Sequence, residues 1–120
     1  MELLTLPMPP TLNNFYGFNG HKRYVRKEGK EYKEIVNVII KERGWNFYAN
    51  VRLSVEIVMN FGNKRVNDLD NRLKCLLDAL SSANVWDDDG LIDDLHIRRG
   101  KDTGKPSVMI TIIAMEDLKE

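Results

Sequence analysis

Cysteine is nearly absent from this chain, with Cys75 the only one among 120 residues. An internal disulfide is therefore excluded, and a cysteine beside Leu76 in an apolar stretch is expected to be a small buried filler rather than a nucleophile. Long apolar runs are also missing, so no segment is predicted to cross a bilayer. Residues 1–7 lack the basic start and apolar length of a signal peptide. These absences predict a soluble, cytoplasmic protein without membrane association.

A net charge is also lacking, because 18 basic and 18 acidic side chains balance. The balance is uneven along the sequence: residues 1–75 hold 13 basic and 8 acidic side chains, whereas residues 76–95 hold 6 acids and no base. With 42% hydrophobic residues, a chain of this length fits one compact domain with a modest core. We therefore expect residues 1–120 to form a single domain with a localised acidic region.

Hydrophobic patterns predict four strands, at about residues 2–6, 51–61, 91–99 and 106–115, and two helices, at about 30–43 and 68–84. A proline-rich segment and a polar loop containing Gly17, Gly20 and Gly29 separate the first strand from the first helix, which is expected to stop at Gly44. The last two strands are expected to form a hairpin around residues 102–104.

The strand-helix-strand unit at residues 51–99 indicates at least one parallel pair, because a crossover helix permits parallel neighbours. The expected fold class is α+β (mixed α/β), in the order β-α-β-α-β-β, with one mixed sheet and two helices packed on one face. The apolar stripes of the helices comprise Tyr32, Ile35, Val36, Ile39 and Ile40 in the first and Leu69, Leu73, Leu76, Leu77 and Leu80 in the second.

Acidic residues gather where the second strand gives way to the second helix, and again after that helix. Asp68 and Asp70 occupy the first place, with Lys74 four residues after Asp70, and Asp87–Asp89 follow Trp86. Two segments that carry carboxylates at these places can converge on one cation, and carboxylate oxygens suit the hard ion Mg²⁺. Metal-dependent phosphoryl-transfer sites are commonly assembled in this way.

The same residues also permit purely structural roles. Asn67 is a good helix N-cap, and acids in a first helical turn favour the positive end of the helix dipole. Asp70, Lys74 and Asp78 lie four residues apart on one side of the predicted helix, so a simple ion pair is an alternative. Exposed pairs of this kind contribute only about 0.3 to 0.5 kcal/mol. The run Asp87–Asp89 permits a solvated acidic turn.

A longer pattern surrounds these acids and covers nearly the whole chain. It comprises Leu6 to Thr11, Asn13, Asn14, Tyr16, Tyr24 to Lys33, Asp68 to Asn71, Lys74, Asp78 to Leu80, Trp86, Asp88 and Asp89. This pattern resembles the RusA family of Holliday-junction resolvases. The resemblance implies a small homodimeric endonuclease of DNA recombination and repair that cuts four-way DNA junctions with Mg²⁺ and uses no nucleotide cofactor.

Carried over residue by residue, the resemblance places the three metal-binding carboxylates of the family on Asp68, Asp70 and the last acid of the run after Trp86. The essential lysine falls on Lys74. Spacing from Trp86 favours Asp89 as the third carboxylate, and Asp88 takes its place if the register shifts by one residue. Asp68, Asp70, Lys74 and Asp89 are therefore the predicted catalytic residues.

Basic side chains in the segment before the first helix suggest a phosphate-binding surface. The candidates for DNA binding are Lys22, Arg23, Arg26, Lys27, Lys64 and Arg65. The alternative is a solvated basic face without a partner, diluted by nearby glutamates. Neither His21 nor His96 is needed for the expected chemistry, and His96 in a strand favours a structural role.

The predicted mechanism is phosphodiester hydrolysis by metal-activated water, with Lys74 adding positive charge at the scissile phosphate or orienting the water. The main alternative is a junction-binding protein that has lost cleavage. An unrelated Asp-x-Asp phosphatase or nucleotide-sugar transferase fits 120 residues poorly.

Symmetric cutting requires two sites related by a two-fold axis, which a homodimer supplies. Trp45, Phe47 and Tyr48 either contribute to that interface or pack at a helix-to-strand turn. A helix of about 15 residues spans roughly 22 Å, so Asp89 must run back along it to meet Asp70. If the return is too short, a dimer partner would supply the third carboxylate.

Overall fold

The computed structural model describes residues 2–45, 48–62, 68–101 and 104–115, and these form six strands and three α-helices. The strands are β1 (Glu2–Leu6), β2 (Tyr16–Asn19), β3 (Lys22–Val25), β4 (Leu53–Asn60), β5 (Ile92–Arg99) and β6 (Ser107–Ala114). The helices are α1 (Leu12–Phe15), α2 (Lys27–Arg43) and α3 (Asp70–Ser82), and a 3₁₀ helix spans Asp89–Leu91. All six predicted elements are present, and the α+β fold class is confirmed.

Four of the strands form one mixed sheet in the order β1-β6-β4-β5. Strand β4 is parallel to β5 and antiparallel to β6, so that Ile57 lies between Ile97 and Ile110. The parallel pair confirms the crossover predicted for the strand-helix-strand unit. Helix α3 is the crossover element that connects β4 to β5.

The predicted hairpin between β5 and β6 is wrong, because β4 lies between these two strands. The two strands with two neighbours, β6 and β4, are the most buried: Leu53, Val55, Ile57 and Met59 of β4 are all 0% exposed. Strand β5 carries exposed charges such as Asp94 and lies at the sheet edge, where charged side chains discourage pairing with other chains.

One face of the sheet is buried in a hydrophobic cluster with α2 and α3. Helix α2 contributes Tyr32, Val36 and Ile40, and α3 contributes residues of its predicted apolar stripe, including Leu76 and Leu80. Ile35 departs from prediction, since it is exposed at the helix surface. None of the described helices has the length and apolar character that a membrane crossing requires.

Cys75 lies on α3 and is fully buried. Burial raises the pKa of its thiol to about 11, with the nearby Asp78 carboxylate adding to the effect. A thiol with this pKa carries almost no thiolate at neutral pH, so it is a poor nucleophile. The structure thus supports the predicted role of Cys75 as a buried filler.

The predicted polar loop before the first helix is wrong, because this segment folds into α1 and an antiparallel β2-β3 hairpin. Helix α2 begins at Lys27, and Gly29 is buried within it. A Cβ at Gly29 would lie 2.6 Å from the carbonyl oxygen of Phe15 and 2.8 Å from Val25 Cγ1. Only glycine permits this approach, which seats the start of α2 against α1 and β3.

Candidate active site on helix α3

Asp70, Lys74 and Asp78 form a polar row along α3, because residues four apart lie one turn above another. The ammonium of Lys74 is 3.4 Å from Asp78 Oδ2. Asp70 lies in the first turn of the helix and is exposed, as is Asp68 just before it. The capping residue of the described helix is Leu69, without a side-chain cap hydrogen bond. Asn67, the alternative cap, lies outside the described residues.

The loop after α3 is anchored by Trp86, which is almost fully buried. Its indole Nε1–H donates to Ser81 Oγ at 2.7 Å. The backbone of Tyr48 also holds the loop through two hydrogen bonds. Its N–H donates to the carbonyl of Val85 at 2.9 Å, and its carbonyl accepts from the N–H of Asp87 at 3.2 Å. These contacts hold the acidic run at a fixed place beside the end of α3.

The three acids after Trp86 have different partners. Asp87 Oδ2 accepts the backbone N–H of Asn50 at 3.2 Å, and Asp88 Oδ1 accepts the N–H of Gly90 at 3.1 Å. Both carboxylates therefore hydrogen-bond to backbone groups of the surrounding loops, and Asp88 also shares a side-chain hydrogen bond with Asp89. Asp89 is the partly buried member of the run, and its carboxylate interacts with charges on α3.

The electrostatics of Asp89 locate it relative to α3. Burial raises the pKa of its carboxyl group, and the carboxylates of Asp88 and Asp78 raise it further, while the ammonium of Lys74 acts in the opposite direction. The N–H of Gly90 instead lowers the pKa of Asp88. The chain therefore returns along α3 far enough to bring Asp89 within electrostatic reach of Lys74 and Asp78.

The structure brings together part of the predicted site. Lys74 and Asp89 lie in one neighbourhood, whereas Asp68 and Asp70 stand at the exposed start of α3. Across residues 2–45, 48–62, 68–101 and 104–115, no three His, Cys, Asp or Glu side chains lie close enough to hold a metal ion. A surface cleft of about 680 Å³ beside residues 7–11 and Arg72 contains none of the predicted catalytic acids.

Two residues that the motif did not single out as functional also belong to this neighbourhood. The hydroxyl of Tyr16 donates to Asp78 Oδ2, the oxygen that also faces Lys74. Burial and the Asp78 carboxylate raise the pKa of Tyr16 well above its usual range. Asp78 was detectable from its place in the polar row, but the sequence gives no signal that Tyr16 approaches it.

The basic candidates that the structure describes surround the β2-β3 hairpin. Lys22 and Arg23 lie on β3, Arg26 precedes α2, and Lys27 begins it; all four are exposed. The segment from Tyr16 to Lys27 contains no acid. A cleft of about 480 Å³ separates the hairpin from the Asp78 side of α3, with Arg23 among its lining residues. Residues 64 and 65, the other two candidates, lie outside the described residues.

Comparison with known proteins identifies a matching family. The family model described as "Endodeoxyribonuclease RusA" matches residues 7–113, which include all four predicted catalytic positions. A crossover junction endodeoxyribonuclease of Enterobacteria phage HK97 is 35% identical over 95 residues, 79% of each chain. Proteins of the same name from Shigella sonnei and Escherichia coli K12 are 30% and 31% identical over 112 residues, 93% of each chain.

Proposed function

Because the chain belongs to the RusA family of endodeoxyribonucleases, we propose that it resolves four-way (Holliday) DNA junctions by symmetric phosphodiester hydrolysis in recombination and repair. The names of the relatives supply the substrate class. The observation that carries the proposal for this chain is that the charge of Lys74 on α3 acts on the carboxyl group of Asp89, beside a hairpin whose exposed charges are all positive.

We propose Mg²⁺ as the cofactor, held by Asp68, Asp70 and Asp89. The donor set fits this ion, since three carboxylates offer the hard oxygen ligands that Mg²⁺ prefers. In the described residues these carboxylates do not yet form a closed site, so their assembly accompanies binding of the ion. When bound, a divalent ion lowers the pKa of a coordinated water and neutralises charge that develops on the phosphoryl oxygens.

The side chains of the protein supply the remaining functions. The side chain of Lys74 is 47% exposed, so its ammonium can approach a phosphate while Asp78 holds it from the other side. A fixed positive charge there stabilises the charge that builds up on the scissile group. Arg23, Arg26 and Lys27 lie on the hairpin side of α3 and bind the phosphates of the duplex arms.

Symmetric cutting requires two active sites related by a two-fold axis, and we propose a homodimer on this ground. Trp45 and Tyr48 are half-buried and pack against the core of their own subunit, which favours packing rather than the interface as their main role. Phe47 lies outside the described residues. The surface that joins the subunits is therefore to be sought elsewhere.

The proposal is tested by cleavage of a synthetic four-way junction with labelled strands, compared with a linear duplex of the same sequence. We expect paired cuts in the junction with Mg²⁺, none with EDTA, and none in the duplex. The variant Asp70→Asn serves as the protein control. Tight junction binding without cleavage at any Mg²⁺ concentration would instead establish the binding-only alternative.

A further inference from the structure

Tyr16 connects the basic hairpin to the candidate active site through three different groups. The guanidinium carbon of Arg23 lies 4.4 Å from the centre of the Tyr16 ring. Arg26 Nε donates to the backbone carbonyl of Tyr16 at 3.1 Å. The Tyr16 hydroxyl donates to Asp78 Oδ2, which is 3.4 Å from Lys74 Nζ. Two DNA-binding candidates thus contact Tyr16, one through its ring and one through its backbone carbonyl, and the Tyr16 hydroxyl in turn contacts the partner of Lys74.

These contacts are not equivalent to an ordinary surface ion pair. An exposed Lys–Asp pair four residues apart on a helix restrains its side chains only weakly. Asp78, however, has a side chain only 21% exposed, and its oxygen is held by the hydroxyl of a tyrosine that is itself 8% exposed. The Tyr16 ring also packs on Phe15, with the ring centres 4.6 Å apart. Asp78 is therefore held by a group that the core keeps in place.

We propose that Tyr16 and Asp78 are positioning residues that couple the DNA-binding hairpin to Lys74. This inference rests on the proposed function, since it assigns their role in the same site. Phosphates bound by Arg23 and Arg26 fix the hairpin, the hairpin fixes the Tyr16 hydroxyl, and Asp78 then directs the Lys74 ammonium toward the scissile phosphate. Neither Tyr16 nor Asp78 needs to touch the substrate.

The variant Tyr16→Phe tests this coupling because it retains the ring beneath Arg23 and removes only the hydroxyl. Tyr32→Phe is the matched control: the Tyr32 hydroxyl donates to the Pro7 carbonyl at 2.7 Å, and Tyr32 is 5% exposed. Each variant loses one partly buried hydroxyl hydrogen bond. We expect Tyr16→Phe to lower the single-turnover cleavage rate by about 10- to 100-fold, the scale of a misplaced catalytic group, with junction affinity unchanged.

The control should cut at the wild-type rate despite a comparable loss of stability. Asp78→Asn should slow cleavage at least as much as Tyr16→Phe, and Asp78→Glu should restore part of the rate. The Mg²⁺ concentration that gives half-maximal rate should stay unchanged in these variants. A marked increase for Asp78→Asn would show that Asp78 ligates the metal and would overturn its role as a positioning residue.

A double-mutant cycle with Lys74→Ala shows whether Tyr16 acts through the lysine. In the Lys74→Ala background, Tyr16→Phe should cause no further loss of rate; an additive loss would refute the coupling.

A second readout does not depend on cleavage: the NMR signal of the Lys74 side chain should shift in Tyr16→Phe and stay in place in Tyr32→Phe. If wild type fails to cut junctions, the proposed function fails, whereas an unmoved Lys74 signal refutes the coupling itself.

Discussion

Replacing Asp88 and Asp89 separately by asparagine should give opposite outcomes, because only Asp89 is partly buried and interacts with charges on α3. Asp88 is exposed and accepts the N–H of Gly90 within its own turn. Asp89 is partly buried, and its charge interacts with Lys74 and Asp78 on α3. We therefore expect Asp89→Asn to remove a ligand of the proposed metal and Asp88→Asn to alter the turn and the hydrogen bond between the two side chains.

The expected magnitudes follow from these positions. Loss of one key electrostatic contact at an active site costs about 100- to 1,000-fold in rate, so Asp89→Asn should lower cleavage by at least about 100-fold. Asparagine at position 88 retains a side-chain oxygen that can accept the same N–H, so Asp88→Asn should cut within roughly threefold of wild type, a range equivalent to less than 1 kcal/mol.

The effect of Asp89→Asn on the stability of the fold gives a second, independent test. The pKa of Asp89 is raised in the folded protein, so its ionised form is less favoured in the folded than in the unfolded state. Above that pKa the charge lowers the stability of the fold, and a neutral asparagine removes this cost. Asp89→Asn should therefore melt at the same temperature as wild type or higher while being inactive.

The assay is single-turnover cleavage of a labelled junction across a range of Mg²⁺ concentrations, with thermal melting of each purified variant in parallel. A dead Asp88→Asn beside an active Asp89→Asn would show that the assignment of the third carboxylate is wrong by one residue. An inactive Asp89→Asn that also melts well below wild type would refute the electrostatic reasoning, because a structural defect would then account for the lost activity.

Four further outcomes are expected. Asp70→Asn should cut at least about 100-fold more slowly yet bind junction DNA as well as wild type or better, as gel shifts in EDTA can show; weakened binding would contradict the proposed role of Asp70 as a metal ligand. Mixed dimers of Asp70→Asn and Asp89→Asn subunits should remain inactive in the junction assay, whereas restored nicking would mean that the two subunits share one site. Replacing Arg23, Arg26 and Lys27 together by alanine should reduce the slope of log affinity against log salt concentration by about two to three. Alanine at Lys41 and Arg43, at the other end of α2, should leave this slope unchanged. Equal slopes for wild type and the triple variant would show that the hairpin is only a solvated basic face. Gly29→Ala should lower the free energy of unfolding by about 1 to 2 kcal/mol in urea titration, because the clash with the Phe15 carbonyl outweighs the gain in helix propensity. A variant more stable than wild type would contradict this packing.

The polar row on α3 was predictable because it depends only on helical periodicity. Asp70, Lys74 and Asp78 share a side of any helix that includes them, and the buried Leu76 and Leu80 fix which side faces the core. The wrong prediction that β6 pairs with β5 has a different cause, because strand order depends on residues that are distant in sequence. Local turn chemistry near Gly104, where φ is +84°, suggested pairing between consecutive strands, whereas β4, which is distant in sequence, lies between β5 and β6 in the sheet.

The β2-β3 hairpin was missed although a local signal exists. Gly20, with φ of +65°, and His21 form a two-residue connection between strands in which Asn19 pairs with Lys22. A glycine at the first position of such a loop is typical of tight hairpins. Each strand has only four residues, however, which is too short to show the apolar alternation by which longer strands are detected.

The position of Asp89 depends on contacts that no local pattern contains. Trp86 must be buried and Tyr48, 38 positions earlier, must bond to the loop on both sides before the acidic run turns back along α3. From Ser82 back to Lys74 the helix axis measures about 12 Å at 1.5 Å per residue, and the seven residues 83–89 can extend over roughly 23 Å. The segment after α3 is therefore long enough to reach Lys74. Asp70 lies four residues further along the helix, about 6 Å along the axis, which supports the proposal that one subunit provides all three carboxylates and that the proposed second subunit would contribute a second site rather than a missing ligand.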